Sequence, residues 1–114
     1  MQVPASAPAY RRITVRELAG RVATGTAPRI IDVREPYEWA IARLPGAELK
    51  PLSDIRRWHA DINPAEEIVF HCHHGVRSAT VCRVLAAEGF ARLCTLTGGI
   101  DAWAVEIEPR MARY

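Results

Sequence analysis

Two short segments of the 114-residue chain, Arg29-Ile30-Ile31-Asp32-Val33 and Ile68-Val69-Phe70-His71, are dense in apolar and β-branched residues and lack the alternation of a half-exposed strand. A strand apolar at successive positions must be covered on both faces, which happens when helices lie above and below a parallel sheet. The flanking segments supply those helices. Thr14 and Glu17 have the spacing of a capping box ahead of a helix over Val15–Ala23, which Gly25 closes. Pro36 opens a helical turn through Trp39 and Ala40, Leu44-Pro45-Gly46-Ala47 is a turn, and Ser53 or Asp54 caps a helix reaching Ala60. After the second run, Cys72–Arg77 reads as a loop centred on Gly75 and Ser78–Glu88 as a helix stopped by Gly89. Leu93–Leu96 is a further strand, and Gly98-Gly99 leads into a last helix through Trp103. Strand and helix alternate, so the expected architecture is one α/β domain with a mainly parallel sheet. It is expected over residues 11–110, with the Pro/Ala/Ser-rich residues 1–10 as a flexible lead-in.

Composition removes several classes of function. With 49 % hydrophobic and 25 % charged residues the chain is ordinary globular protein. Fifteen basic residues against 13 acidic leave a net charge of +2, with no basic stripe of the kind nucleic-acid binders carry. Lys50 is the only lysine; arginine usage of this kind suits an anion site or reflects genomic base composition. Three cysteines cannot close a disulfide framework, the N-terminal stretch lacks a secretion pattern, and no apolar run is long enough to span a bilayer. A reducing, cytoplasmic setting without membrane or nucleic-acid partners is expected.

The segment from Ile68 to Ser78 carries the chemistry. A buried strand ends, Cys72 sits at its carboxyl edge, a loop containing Gly75 follows, and a helix begins. That edge is where open α/β sheets bind ligands. If residues 73–77 curl around Cys72, the amides of His73, His74, Gly75, Val76 and Arg77 form an anion nest, and Arg77 adds a cation at the rim. A helix N-terminus and a nearby cation favour the thiolate, the form of cysteine that attacks. A buried packing cysteine is the other reading of the same residue.

Cys72-x-x-Gly75-x-Arg77-Ser78 resembles the active-site loop of single-domain rhodaneses, the thiosulfate sulfurtransferases. Asp32-Val33-Arg34-Glu35 with Glu38-Trp39, Leu44-Pro45-Gly46-Ala47, and Gly98-Gly99-Ile100-Asp101-Ala102-Trp103 resemble three further signatures of that family, in order and spacing. Ala42, Arg43 and Glu48 depart from the family's Gly, His and Asn around the turn, outside the cysteine loop. The resemblance implies a three-layer α/β/α domain in which Cys72 takes the outer sulfur of thiosulfate or a similar donor as a persulfide. A thiophilic acceptor, cyanide or a thiol, then removes it. No cofactor is implied. The partners implied are a small sulfur donor and a thiol acceptor, including a thioredoxin-like or sulfur-carrier protein. A sulfur-carrier module loaded by a desulfurase is the alternative. Phosphatases and arsenate reductases of the superfamily carry one residue more between Cys and Arg, so those chemistries rank lower.

The remaining candidates have two readings each. His71-Cys72-His73-His74 contains metal-ligand types, but adjacent residues point apart and no distant partner pair exists, so no metal is expected. The resemblance makes His73 and His74, which vary in the family, candidates for tuning substrate preference. Asp32 is expected to bond to loop amides or to Arg34. Arg34 and Arg43 either add to the anion field or lie solvated, Trp39 and Trp103 either wall the pocket or pack, and Cys82 and Cys94 are read as core.

Overall fold

The computed structural model describes residues 9–114; most of the expected lead-in, residues 1–8, lies outside the described residues. The elements in order are β1 (Arg11–Ile13), α1 (Val15–Ala23), β2 (Arg29–Asp32), α2 (Pro36–Ile41), β3 (Glu48–Leu49), α3 (Ile55–Trp58), β4 (Ile68–His71), α4 (Val76–Ala87), β5 (Leu93–Leu96) and α5 (Gly99–Glu106), with 3-10 turns either side of α3. All strand pairs are parallel, in the order β1-β5-β4-β2-β3. The two apolar runs are neighbours at the centre, with Ile30 opposite Val69 and Ile31 opposite Phe70.

Successive residues of these strands serve opposite layers, as their unbroken apolar character requires. Ile31, Ile68 and Phe70 meet Trp58 of α3 and Val81, Cys82 and Leu85 of α4 on one face. Ile30, Val69 and Leu96 meet Val15 and Leu18 of α1 and Ile100 and Trp103 of α5 on the other. This is the three-layer α/β/α arrangement that the sequence implies. The Thr14–Glu17 capping box closes α1: Thr14 Oγ1 accepts the Glu17 amide at 3.1 Å, and Glu17 accepts the Thr14 amide at 3.3 Å.

Several local expectations are corrected. α4 begins at Val76, two residues before Ser78, so Arg77 and Ser78 lie in its first turn. The helix expected up to Ala60 is a single α-turn between 3-10 turns. Asp54 stands at its N-cap position but makes no side-chain cap bond, and the Ser53 hydroxyl donates to the Glu35 carboxylate at 2.9 Å. The edge strands β1 and β3 were not expected from the pattern.

Candidate active site

β4 delivers Cys72 to the carboxyl edge of the sheet, between β2 and β5. The thiol is 1 % exposed. Gly75 turns the chain with φ +116°, a conformation costly for a residue with a β-carbon, and acts as the N-cap of α4. The loop thereby closes on the sulfur: the amides of Gly75 and Ser78 donate to Cys72 Sγ at 3.1 and 3.4 Å. These are groups that a helix N-terminus leaves unsatisfied, beside the positive end of the α4 dipole. The thiol in turn donates to Ser78 Oγ at 3.6 Å, and that hydroxyl is held by Gly75 O at 3.2 Å and Thr95 Oγ1 at 2.6 Å.

The other half of the loop is shaped by α5. Ile100 and Asp101, in its first turn, donate their amides to the carbonyls of Cys72 and His73 at 2.9 and 3.1 Å. These two bonds fix the first two peptide planes of the loop, ahead of Gly75, whose amide donates to the sulfur. The approach requires Gly99 (φ +60°), because a β-carbon there would collide with the carbonyl oxygens of both residues. Gly99 thus serves the cysteine loop directly, a role that its sequence position alone does not disclose.

The charged groups are arranged differently from the simplest reading of the sequence. Arg77 is at the rim, half-buried, but its guanidinium donates to both oxygens of Glu38, at 2.6 and 2.9 Å. Glu38 is buried on α2, and its carboxyl is pulled down to about 2, first by the Arg77 hydrogen bonds and then by those from Tyr114 and the Glu35 amide, against the cost of burial. Arg34 is neither solvated nor a rim cation. It is fully buried, forks onto Asp32 at 2.7–3.1 Å, and donates to the carbonyls of Glu38 and Ala42 and to Tyr114 Oη. Asp32 also accepts the Arg34 amide at 3.0 Å, in keeping with a structural carboxylate. A buried ion pair survives only when its remaining donors and acceptors are met, as here. Arg43 lies over the Trp39 ring at 4.8 Å, and Trp103 is packed in the α1/α5 layer, donating to Glu108 at 3.0 Å.

The His73 and His74 rings lie with centroids 3.9 Å apart and planes tilted by 32°; His73 is half-buried and His74 exposed. Burial and the neighbouring His74 push the His73 imidazole below its ordinary value. Val76 is exposed, its side chain turned away from the loop interior. Among the described residues, no three His, Cys, Asp or Glu side chains gather into a metal-holding cluster. Burial raises the Cys82 thiol to about 12 and also raises Cys94, which leaves both poor nucleophiles. Sequence reasoning missed two groups, Glu38 as the partner of Arg77 and Tyr114 as a neighbour of His73. Glu38 stood within the quoted Asp32–Trp39 motif, whereas nothing near Tyr114 marks it.

A cysteine at the end of a central parallel strand, ringed by a loop that opens a helix, is the geometry on which comparison with known proteins bears. The family model described as the rhodanese-like domain matches residues 14–106. The chain belongs to that family. Among its relatives, a protein named "Sulfurtransferase" from Allochromatium vinosum is 33 % identical over 81 % of this chain and 86 % of its own length. A "Probable adenylyltransferase/sulfurtransferase" from Mycobacterium tuberculosis is 38 % identical over 90 % of this rhodanese-like chain, which spans only 26 % of that protein. The crystal structure of a rhodanese-related protein from Thermoplasma volcanium superposes with a TM-score of 0.78 at 28 % identity, covering 88 % of this chain and 96 % of that one. Two of these relatives carry sulfurtransferase names, and the chain spans only about a quarter of the longer one. No helix among the described residues is long and apolar enough to cross a membrane.

Proposed function

We propose that the chain is a sulfurtransferase that carries a sulfane sulfur on Cys72. The observation that carries this reading is the pair of amides, Gly75 and Ser78, aimed at Cys72 Sγ from the start of α4. Fixed N–H donors hold a sulfur anion without having to reorganise when the charge arrives. In the first step the Cys72 thiolate attacks the outer sulfur of thiosulfate or a similar donor. The new S–S bond forms as the donor's own S–S bond breaks, and sulfite leaves with the electron pair. The Cys72 persulfide keeps one negative charge on its outer sulfur, within the loop. An acceptor thiolate or cyanide then attacks that sulfur, the Cys72–S bond breaks, and the thiolate returns. The sequence is covalent double displacement, balanced without oxidant, reductant or cofactor. Acceptors of this class include small thiols and the cysteines of thioredoxin-like or sulfur-carrier proteins.

One observation favours a second reading, a carrier loaded by a desulfurase with slow thiosulfate turnover. The only rim arginine of the cysteine loop is already engaged by Glu38, so a doubly charged donor gains less from it than from an unpaired guanidinium. The same pairing disfavours phosphate ester chemistry, which needs a cation on the transferred group. Incubation with thiosulfate, or with a desulfurase and cysteine, followed by mass spectrometry of the Cys72 peptide, tests both readings. One added sulfur atom, lost in Cys72→Ser with the fold intact by circular dichroism, is the expected result. An unmodified Cys72 peptide in a folded protein under both conditions overturns sulfur transfer, while loading by the desulfurase alone selects the carrier.

A further inference from the structure

The segment after α5 returns to the cysteine loop. Met111 packs on the apolar layer that contains Leu18 and Trp103, and Arg113 donates to Asp101, in the first turn of α5, at 3.0 and 3.3 Å. Tyr114 then meets both ends of the loop. Its ring stacks on His73, the residue after Cys72, with centroids 3.9 Å apart and planes 11° from parallel. Its hydroxyl donates to Glu38 Oε2 at 2.6 Å and accepts from Arg34 Nη1 at 2.8 Å. Glu38 is the carboxylate that grips Arg77 at the far end of the loop. A single side chain therefore reaches from position 73 to the partner of position 77, the two ends of the loop around Cys72, a residue that is 1 % exposed.

We propose that Tyr114 is a specificity-determining residue of the cysteine site, a strap at its rim that admits small sulfur donors and acceptors to Cys72 and holds back bulky ones. The inference rests on the sulfur-transfer reading, in which Cys72 Sγ is the reacting atom. A small donor carries no backbone that Tyr114 would have to clear. A cysteine presented by a second protein arrives with backbone around it and must first lift the ring off His73 and part the hydroxyl from Glu38 and Arg34. Burial raises the Tyr114 phenol to about 12, with the Arg34 bond opposing and the Glu38 bond adding, so the neutral donor persists at ordinary pH.

Alkylation separates access from sulfur chemistry. Iodoacetamide and an iodoacetamide bearing a fluorescein react identically, the thiolate forming an S–C bond as iodide leaves, and differ only in size. Rates are read on the Cys72 peptide by mass spectrometry, for the full chain and for Tyr114→Ala and Tyr114→Phe. Tyr114→Ala should accelerate the bulky reagent about tenfold more than the small one, equivalent to about 1.4 kcal/mol in barrier. Tyr114→Phe keeps the ring, loses both hydrogen bonds, and should fall between the two. Equal acceleration of both reagents overturns the proposal. So does parallel acceleration at Cys82, a wholly buried thiol that reports general loosening. An unchanged size ratio with normal persulfide formation removes the strap alone, whereas failure of persulfide formation removes the sulfur-transfer reading and leaves the access measurement intact.

Discussion

His71 is wholly buried directly before Cys72, with neither ring nitrogen hydrogen-bonded and Asp32 Oδ2 3.7 Å from Nε2. Desolvation pushes its imidazole below the ordinary 6.5, outweighing the attraction of Asp32, and Arg34 adds to the depression. The folded protein therefore holds His71 neutral, while the unfolded chain takes up a proton below pH 6.5. Stability from this residue is present above that pH and is lost as the pH falls toward the lower folded value. The slope contributed reaches about 1.4 kcal/mol per pH unit, the linkage of one proton. Urea titrations across the range below pH 6.5 should show that slope, and His71→Phe should flatten it. At this scale the sequence was informative about Cys72 and Asp32, whose neighbours in the chain are also their neighbours in space. It did not disclose the partner of either Arg77 or Tyr114, which lies 39 and 76 positions away at Glu38. An arginine next to a nucleophile reads as a free cation until the fold brings up the carboxylate that neutralises it.

Among elements, α5 does more for the site than its residues suggest, because the amides of its first turn hold the carbonyls of Cys72 and His73. Gly99→Ala places a methyl group against those carbonyls at a positive φ, and the backbone must shift. The expected outcome is a loss of about 1–3 kcal/mol in urea unfolding together with a marked fall in sulfur loading of Cys72. Full stability with full loading would show that the contact does not shape the loop. The long elements were legible where period and punctuation agreed, as in the capping box of α1 and the central strands β2, β4 and β5. β1 and β3 were not, since three and two residues with exposed, charged members carry too little pattern to register. The start of α4 was placed late because Val76 and Arg77 look like loop, yet 76 % exposure costs a helical valine little.

Across the whole molecule, the two apolar layers share β4, whose side chains alternate between them. Phe70, fully buried and stacked on Trp58 at 6.3 Å, belongs to the α3/α4 layer. Phe70→Ala should cost about 3–5 kcal/mol in urea. The loss should also appear in the amide exchange of Leu96 across the sheet, because a shared strand makes the domain unfold as one unit. Leu96 protection that stays unchanged while the α3/α4 layer loosens would instead mean independent halves. The parallel α/β architecture was visible from the unbroken apolar runs; the strand order was not, since it depends on crossovers that no local pattern records.

The contact between α5 and the cysteine loop has a consequence during synthesis. Cys72 leaves the ribosome well before Gly99, so for an interval the nascent chain holds the cysteine but lacks the amides that shape its loop. Until α5 emerges, the carbonyls of Cys72 and His73 lack the two donors that hold them in the finished fold. If Cys72 takes up sulfur as proposed, a chain short of α5 offers it a loop without those two bonds.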